Sequence, residues 1–390
     1  MPGFASNDQV IQALTAGQTY KANWSKNMNP TAAAVANEVH TLFRGGGNPP
    51  ADALFNTGSS LLFQAVKDTT TNASTVLHGG NVQPTYYKYL LAGSCVSAAA
   101  TVVPATVILV DVVGFYRKTP ITTTTADATT NTLSQSDTFS ADAGTDVITW
   151  TSTANIPSNL LTGTRMRLTT TTTLPAGLAL ATDYYYIRVS DTTGKLATSY
   201  ANAIAGTQIN ITDAGTGTHT SSWLLPRYTN GAGVQAFFFN SNSTALGAAT
   251  PNLDLGYTNS AQVASRATPT VLPVGKTAAA NSLIIHTGAT AAGKYNYAVP
   301  LQSGDAGIAE INTIRNATSY VSGEYSVAMV KELARFPLST LGLAAERNFM
   351  FEMPSLPRIY DGAALYFLVI SGVATPANSA FSGDLTFTWN

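Results

Sequence analysis

The sequence predicts an all-β protein: a jelly-roll-like β-sandwich with an inserted small Ig-like β domain and a short helical N-terminal arm. Only 11% of the 390 residues are charged, against roughly 25% in an ordinary soluble domain. Thr, Ala, Gly, Ser and Asn fill the polar positions, as is typical of β surfaces and turns. From about residue 75, short apolar runs alternate with turn residues, and helices do not alternate with strands as they do in α/β sheets.

Residues 1–50 are predicted to be the helical arm, which would dock on a neighbour or on the body. A first helix is expected over Asp8–Leu14, with Asn7 or Asp8 as its cap. A second is expected after Asn29-Pro30-Thr31, because Pro suits a first turn and three glycines follow the last apolar residues. The apolar residues that would share one face of this second helix are Val35, Val39, Leu42 and Phe43.

Residues 51–131 and 223–390 are predicted to form the β-sandwich core domain, since short strand-like runs recur there between turn residues. The main runs are 105–116, 233–241, 281–288, 323–333, 364–374 and 383–390. In the last of them, Leu385, Phe387 and Trp389 alternate with Thr386 and Thr388, so one face of the C-terminal strand should lie in the core.

The uncharged run Tyr89–Val110 is long enough to raise the alternative of a transmembrane helix. Its serines and threonines around Pro104 favour two buried strands with a turn near that proline. Cys95 lies in this run as the single cysteine, so no intramolecular disulfide can form, and a buried thiol is expected. The N-terminus has no basic and apolar stretch of the secretory kind.

Residues 132–222 are predicted to be a small β domain inserted into a surface loop of the larger one. The threonine-rich tract 121–132 serves as the spacer. A second tract, Thr169–Thr173, is expected to be strand, followed by a turn at Leu174–Gly177. Strand-like runs also cover 146–152, 163–178 and 207–220, and residues 182–199 have the pattern of a hairpin. At Trp223 the pattern of the core domain resumes.

Residues 163–220, above all 174–220, resemble a small β module that recurs in structural proteins of tailed bacteriophages. The flanking segments 107–117, 224–237, 290–308 and 344–372 resemble a phage virion family associated with head or shell-decorating proteins. Together the two resemblances cover most of residues 85–390, and the first 80 residues match less clearly. They imply a virion structural protein, and they bring no catalytic or binding residues with them.

Residue types that form catalytic or metal sites in other proteins show no recognisable motif in this sequence. His40, His78, His219 and His286 lie far apart and outside metal-ligand spacings. His78-Gly79-Gly80 lacks a G-x-S-x-G partner motif, so a turn is expected there, and the glycines of 231–237 are likewise turn residues. Tyr184, Tyr185 and Tyr186 could form a recognition surface, but alternation between a small core and its outer face is favoured. We therefore predict no catalytic, cofactor-binding or metal site, and no enzyme.

Charge and composition also bear on partners. The 20 basic residues are scattered and matched by 21 acidic ones, so neither nucleic acid nor membrane is expected as a partner. A low-charge chain without disulfides is suited to burying surface against copies of itself and other subunits. We predict a virion protein made in the host bacterial cytoplasm, a homo-oligomer and most simply a trimer. It would decorate or cement the shell by clamping neighbouring capsomers of the major capsid protein. The alternatives are a tail-associated fibre or adhesin that binds a host glycan, and a major shell protein.

Overall fold

The fold is described from a computed structural model. It covers residues 4–28, 36, 38–52, 60–66, 68, 75–80, 82, 86–97, 102–117, 130–132, 135–151, 160, 162–241, 252–268, 272–273, 284–285, 297–316, 325–353, 355–374 and 378–390.

Strands dominate the described part of the chain, and three short helices accompany them. In chain order the elements are α1 (Asn7–Thr15), β1 (Thr19–Asn27), β2 (Val39–Thr41), β3 (Gly47–Asn48), β4 (Ser60–Ala65), β5 (Lys88–Ser97), β6 (Ala105–Arg117), β7 (Thr130–Thr132), β8 (Ser136–Asp142), β9 (Val147–Trp150), β10 (Arg165–Thr170), β11 (Asp183–Arg188), β12 (Thr193–Ala197), α2 (Tyr200–Ala205), β13 (His219–Trp223), β14 (Val234–Asn240), β15 (Asn252–Asn259), β16 (Arg266–Ala267), β17 (Leu272–Pro273), β18 (Ile284–Ile285), β19 (Ile308–Asn316), β20 (Tyr325–Leu338), β21 (Ala345–Asn348), α3 (Phe349–Glu352), β22 (Arg358–Ile359), β23 (Leu365–Ser371) and β24 (Ala380–Trp389).

The described strands form three open sheets and one closed barrel, and they all pair in the antiparallel sense. The front sheet has the order β21–β5–β24–β1–β3, and β22 lies next to β21 along β5. The central sheet has the order β18–β14–β20–β6–β23–β2, with β4 beside β6. The outer sheet has the order β16–β15–β19–β7, with β17 beside β15. The barrel follows the order β10–β11–β12–β9–β8–β13.

One face of the central sheet packs on both other sheets. Toward one end of β6, Val107 and Leu109 join a cluster with Trp24 and Phe387 of the front sheet. Toward the other end, Val113 and Tyr116 pack with Leu255, Ile311 and other residues of the outer sheet. The register of β6 and β20 shifts between Met329 and Val330, which is a β-bulge. The opposite face of the central sheet is equally buried, through Ile108, Val110 and Phe115 among others.

The barrel has its own core, built from alternate residues of its six strands. Trp150 and Tyr186 lie at its centre with their rings at 5.1 Å, and the Trp150 indole N–H donates to the Ser221 hydroxyl at 2.8 Å. An Ig-like domain has two separate sheets, whereas these six strands close on themselves. The barrel strands run from Ser136 to Trp223. The exact domain boundaries stay a prediction.

The all-β sandwich is confirmed, as are the two strands with a turn near Pro104 and the 182–199 hairpin, in which Tyr185 pairs with Ala197. Strand β10 ends at Thr170, although Thr173 still makes an isolated bridge to Thr216. The predicted turn follows, with Leu178 N–H donating to Pro175 O. In the C-terminal strand, Leu385 and Phe387 are buried as expected. Trp389 is only partly buried, whereas Thr388 is buried and its hydroxyl donates to Gln18 O at 3.0 Å.

Several sequence-based expectations for the N-terminal region and the spacer are wrong. The first helix exists, but its cap is Ser6, whose hydroxyl accepts from Gln9 N–H. The second helix does not extend through Val39–Thr41, because these residues pair as β2 with β23 and are all buried there. Tertiary strand pairing thus overrides a helical periodicity. Val35 and residues 121–129 lie outside the described residues, and the end of the spacer tract, Thr130–Thr132, is strand β7.

Two further segments differ from expectation. Residues 19–27 form β1, in the middle region of the front sheet, so the N-terminal 50 residues are not only an arm. In the run 207–220, only His219 and Thr220 lie in a strand, β13. The preceding residues wrap the barrel irregularly, and Ile211 contributes a buried side chain.

Candidate interaction surfaces

The described histidines and the cysteine that were singled out in the sequence lie in the interior of the protein. His40, His78 and His219 are buried, and His286 lies outside the described residues. Burial raises the pKa of the Cys95 thiol to about 12, which makes it an inert core residue. Among the described residues, no three potential metal ligands come together.

The glycines expected in turns and the run of three tyrosines adopt the conformations that the sequence predicted. Gly79, Gly80, Gly231 and Gly233 all have positive φ angles, as turn glycines do. In the barrel, Tyr184 and Tyr186 are buried while Tyr185 on the opposite face is partly exposed. The aromatic run therefore mainly builds the barrel core.

A buried ion pair fastens the chain where it leaves the barrel and re-enters the body. Arg227 lies just after β13, and its Nε and Nη2 atoms donate to the two carboxylate oxygens of Asp111 at 2.8 and 2.6 Å. The same guanidinium donates to Val112 O at 2.9 Å, and Ala364 N–H donates to Asp111 at 2.9 Å. Both side chains are almost fully buried, with 3% and 0% exposed. Such a bidentate pair fixes orientation as well as position.

More charged groups surround this pair. The Lys88 ammonium group lies 3.0 Å from His78 Nδ1 and also donates to Gly80 O. The other ring nitrogen of His78 lies 3.4 Å from Asp68, whose carboxylate accepts from the Thr75 hydroxyl at 2.9 Å. Because Lys88 can only donate, His78 Nδ1 must be the acceptor and the imidazole neutral. In a chain this poor in charge, several charged groups have been gathered into one buried cluster.

The protonation states of this cluster follow from burial and from neighbouring charge. Burial, together with the positive charges of Lys88 and Arg227, lowers the pKa of His78 to about 3. Burial also lowers the pKa of Lys88 to about 8, against the opposing effect of Asp361 and Asp68. The pKa of Asp68 is raised, mainly by burial. With His78 held neutral, its Nδ1 accepts from Lys88, while its Nε2 lies 3.4 Å from Asp68 without making a hydrogen bond.

The barrel reaches the same cluster through its helix α2. Tyr200, the first residue of α2, has a raised pKa because of burial and the nearby Asp361 carboxylate. Asp361 belongs to the body and accepts from Val82 N–H at 3.0 Å. Beside it, the Arg358 guanidinium lies between the rings of Tyr87 at 3.7 Å and Tyr360 at 4.6 Å. The Arg227–Asp111 pair therefore holds the barrel to the body at its C-terminal exit, and α2 begins near Asp361.

Sequence reasoning did not find this junction, although the signal was present. Asp111 is the single charged residue within the apolar run 105–116. A charge in the middle of a buried strand requires a buried partner. The sequence alone could not show that the partner is Arg227, which lies 116 positions further along the chain.

Exposed apolar side chains mark two surfaces of the described structure. The first, named here the front-edge patch, consists of Leu341, Leu343, Phe351 and Met353. Leu341 and Leu343 precede the edge strand β21 in the chain, and Phe351 and Met353 follow it. Their exposed fractions are 45%, 62%, 75% and 40%, respectively. Helix α1 lies beside α3, and a cavity of about 150 Å³ between them is lined by Phe4, Val10 and Met353 among others.

The second surface is that of the barrel, which exposes Leu180 before β11, Val189 after β11 and Ile204 in α2. Its side chains are all aliphatic. Single exposed apolar residues are ordinary, but several beside one sheet edge are typical of a contact surface.

Comparison with known proteins gives no family. No family model and no curated protein matches the chain. Among solved structures, the crystal structure of the infectious bursal disease virus VP2 subviral particle aligns with 95% of this chain and 80% of its own chain. The identity is 9% and the TM-score is 0.16. A similarity of this size supports no conclusion about the fold or the function of this protein.

Proposed function

We propose that this protein is a structural subunit of a phage virion that decorates or cements the capsid shell. The observation that carries the proposal is the front-edge patch, because Phe351 and Leu343 expose large apolar side chains near β21, which ends the described strand order of the front sheet. Exposed apolar surface of this kind is suited to contact with other subunits. The sequence resemblance to phage virion proteins supports the same reading.

In this proposal the body contacts the shell and the barrel projects away from it. The buried Arg227–Asp111 pair, just after the last barrel strand, would hold the barrel in one orientation. A fixed orientation serves a mechanical clamp, which must transmit load between neighbouring capsomers. The partners are other copies of the chain, most simply in a trimer, and the major capsid protein. The role requires no catalysis and no cofactor.

The barrel surface favours this proposal over a glycan-binding adhesin. Sugar rings are commonly held by stacking on exposed aromatic side chains, whereas the large exposed apolar residues of the described barrel are Leu180, Val189 and Ile204. Aliphatic side chains of this kind suit contact with protein. The adhesin and major shell protein therefore remain alternatives without a specific observation in their favour.

Electron microscopy of the intact virion tests the proposal. We expect density for this chain on the shell, in a copy number comparable with that of the major shell protein. Heads that lack the protein should lose their DNA at a lower temperature than complete heads. Density confined to the tail tip, or a copy number far below that of the shell protein, would contradict the proposal.

A pair of variants tests the contact surface itself. The double variant Leu343→Asp/Phe351→Asp should fail to bind to heads that lack the protein, because charges would replace the apolar contact. Ile204→Asp is the matched control, since Ile204 is 54% exposed and lies on the barrel. We expect the control to bind as the unmodified protein does. The reverse result would place the contact on the barrel and refute the proposed orientation.

A further inference from the structure

Strand β1 has an edge that is only partly covered. On one side it pairs with β24 over its whole length, from Thr19↔Thr388 to Asn27↔Ala380. On the other side, β3 pairs only with Ser25 and Lys26. In the described part of the chain, no strand covers this second edge from Thr19 to Asn23.

The alternation of the antiparallel ladder shows which main-chain groups point to that edge. Gln18 O accepts from Trp389 N–H, so the even-numbered residues bond toward β24. Asn27 N–H donates to Gly46 O, and Asn23 O accepts from the Asn48 side-chain amide at 3.1 Å, so the odd-numbered residues face the other way. Three main-chain groups therefore point away from β24 toward the open edge: the N–H and C=O of Lys21 and the N–H of Asn23. No described group makes a hydrogen bond to them.

A groove runs along these unpaired groups. A cavity of about 450 Å³ is lined on one side by Tyr20, Lys21 and Asn23, and on the other by residues 49–50 and 75–77. Pro49 and Pro50 have no N–H, and their carbonyl groups already accept from Lys26. Pro49 and Pro50 therefore cannot donate main-chain hydrogen bonds to a chain that lies in the groove. Tyr20 is held in place by Gly79, where any Cβ would lie 2.9 Å from the Tyr20 side chain.

We infer that this groove receives an extended segment of another polypeptide, which adds to the front sheet as a strand beside β1. Main-chain hydrogen bonds to Lys21 and Asn23 would provide affinity, as in other strand additions. A neighbouring strand would lie about 4.8 Å away, in the cavity of about 450 Å³ that borders this edge. The inference does not depend on the virion assignment.

The two faces of β1 define the chemistry of the bound segment. Ala22 and Trp24 face the core, together with Val76 of the far wall, whereas Lys21 and Asn23 face solvent. Because side chains alternate along a strand, the segment should carry apolar residues at every second position and polar residues between them. The apolar set would lie on the same side as the partly buried Tyr20, and the polar set would face solvent.

The test uses the full chain and a short peptide of alternating valine and threonine, with a lysine at each end for solubility. We expect binding that protects the Lys21 and Asn23 amides from hydrogen exchange. Lys21→Pro removes one edge-facing N–H without breaking a bond to β24, and it should weaken binding about tenfold. Lys21→Ala is the matched control, because it keeps the N–H and loses only the side chain, and its affinity should be unchanged.

A peptide methylated on its alternate amide nitrogens gives a readout that does not require a folded variant. It should lose both the binding and the exchange protection with the unmodified protein. The inference is overturned if the methylated peptide binds equally well, or if Lys21→Pro folds and binds like Lys21→Ala. It is also overturned if the Lys21 and Asn23 amides are already protected in the free protein, or if the alternating peptide does not bind.

Discussion

Replacing Arg227 with methionine should strongly destabilise the protein, because it leaves the Asp111 carboxylate buried without its partner. The change removes hydrogen bonds of 2.8 and 2.6 Å to the carboxylate and one of 2.9 Å to Val112 O. Ala364 N–H would still donate to Asp111. Breaking one side of a buried ion pair typically costs about 3–5 kcal/mol. We expect a loss of that size in the free energy of unfolding.

Denaturant unfolding followed by tryptophan fluorescence measures this loss. Arg335→Met is the matched control, because Arg335 pairs with Glu332 but is 47% exposed. Exposed pairs contribute about 0.2–1 kcal/mol. The double variant Asp111→Leu/Arg227→Met should recover most of the stability, since it removes both buried charges. If Arg227→Met is no less stable than Arg335→Met, the pair is not the anchor of the barrel exit.

Three further predictions concern the core, the outer sheet and the barrel. Cys95 should resist thiol reagents at mildly alkaline pH and react only on unfolding, because burial raises its pKa to about 12; rapid labelling of the folded protein would contradict this. Asp305→Asn should destabilise the protein near neutral pH, and the difference should shrink as the pH falls from about 4 toward 2. The reason is that hydrogen bonds from Arg266 and other donors lower the pKa of Asp305 to about 2. A pH-independent difference in melting temperature would exclude that cause. Gly194→Ala should destabilise the barrel by about 1–3 kcal/mol, because the added Cβ would lie 1.9 Å from the Tyr186 ring. Gly144→Ala in the β8–β9 turn, where the nearest contact is 3.4 Å, should have little effect in the same thermal unfolding assay.

The sequence predicted those strands and turns whose residue pattern is contained within a short segment of the chain. Alternating and continuous apolar runs located β6, β14, β20, β23 and β24, because a half-buried or buried strand must carry such a pattern. The hairpin of β11 and β12 was also predictable, since Asp191 and Gly194 supply the turn between two strand-like runs.

The parts that sequence missed depend on distant partners. Val39 belongs to a helical periodicity, yet it pairs with Ile370 on β23. Nothing within residues 29–47 records that partner. The junction at Arg227 depends on Asp111, which lies 116 positions away in sequence. The open edge of β1 depends on its neighbouring strands: β24 is more than 350 positions away, and β3 pairs only with Ser25 and Lys26.

The order of folding follows from the same separation in sequence. The front sheet is completed only when β1 pairs with β24, more than 350 positions apart, whereas the barrel closes within Ser136–Trp223. Closing long loops is slow because their entropy is lost before distant contacts form. During refolding of the full chain, we therefore expect amides of β8–β13 to gain protection from hydrogen exchange before those of β1 and β24. Earlier protection in β1 and β24 would mean that the front sheet nucleates folding and that the barrel forms on an existing body.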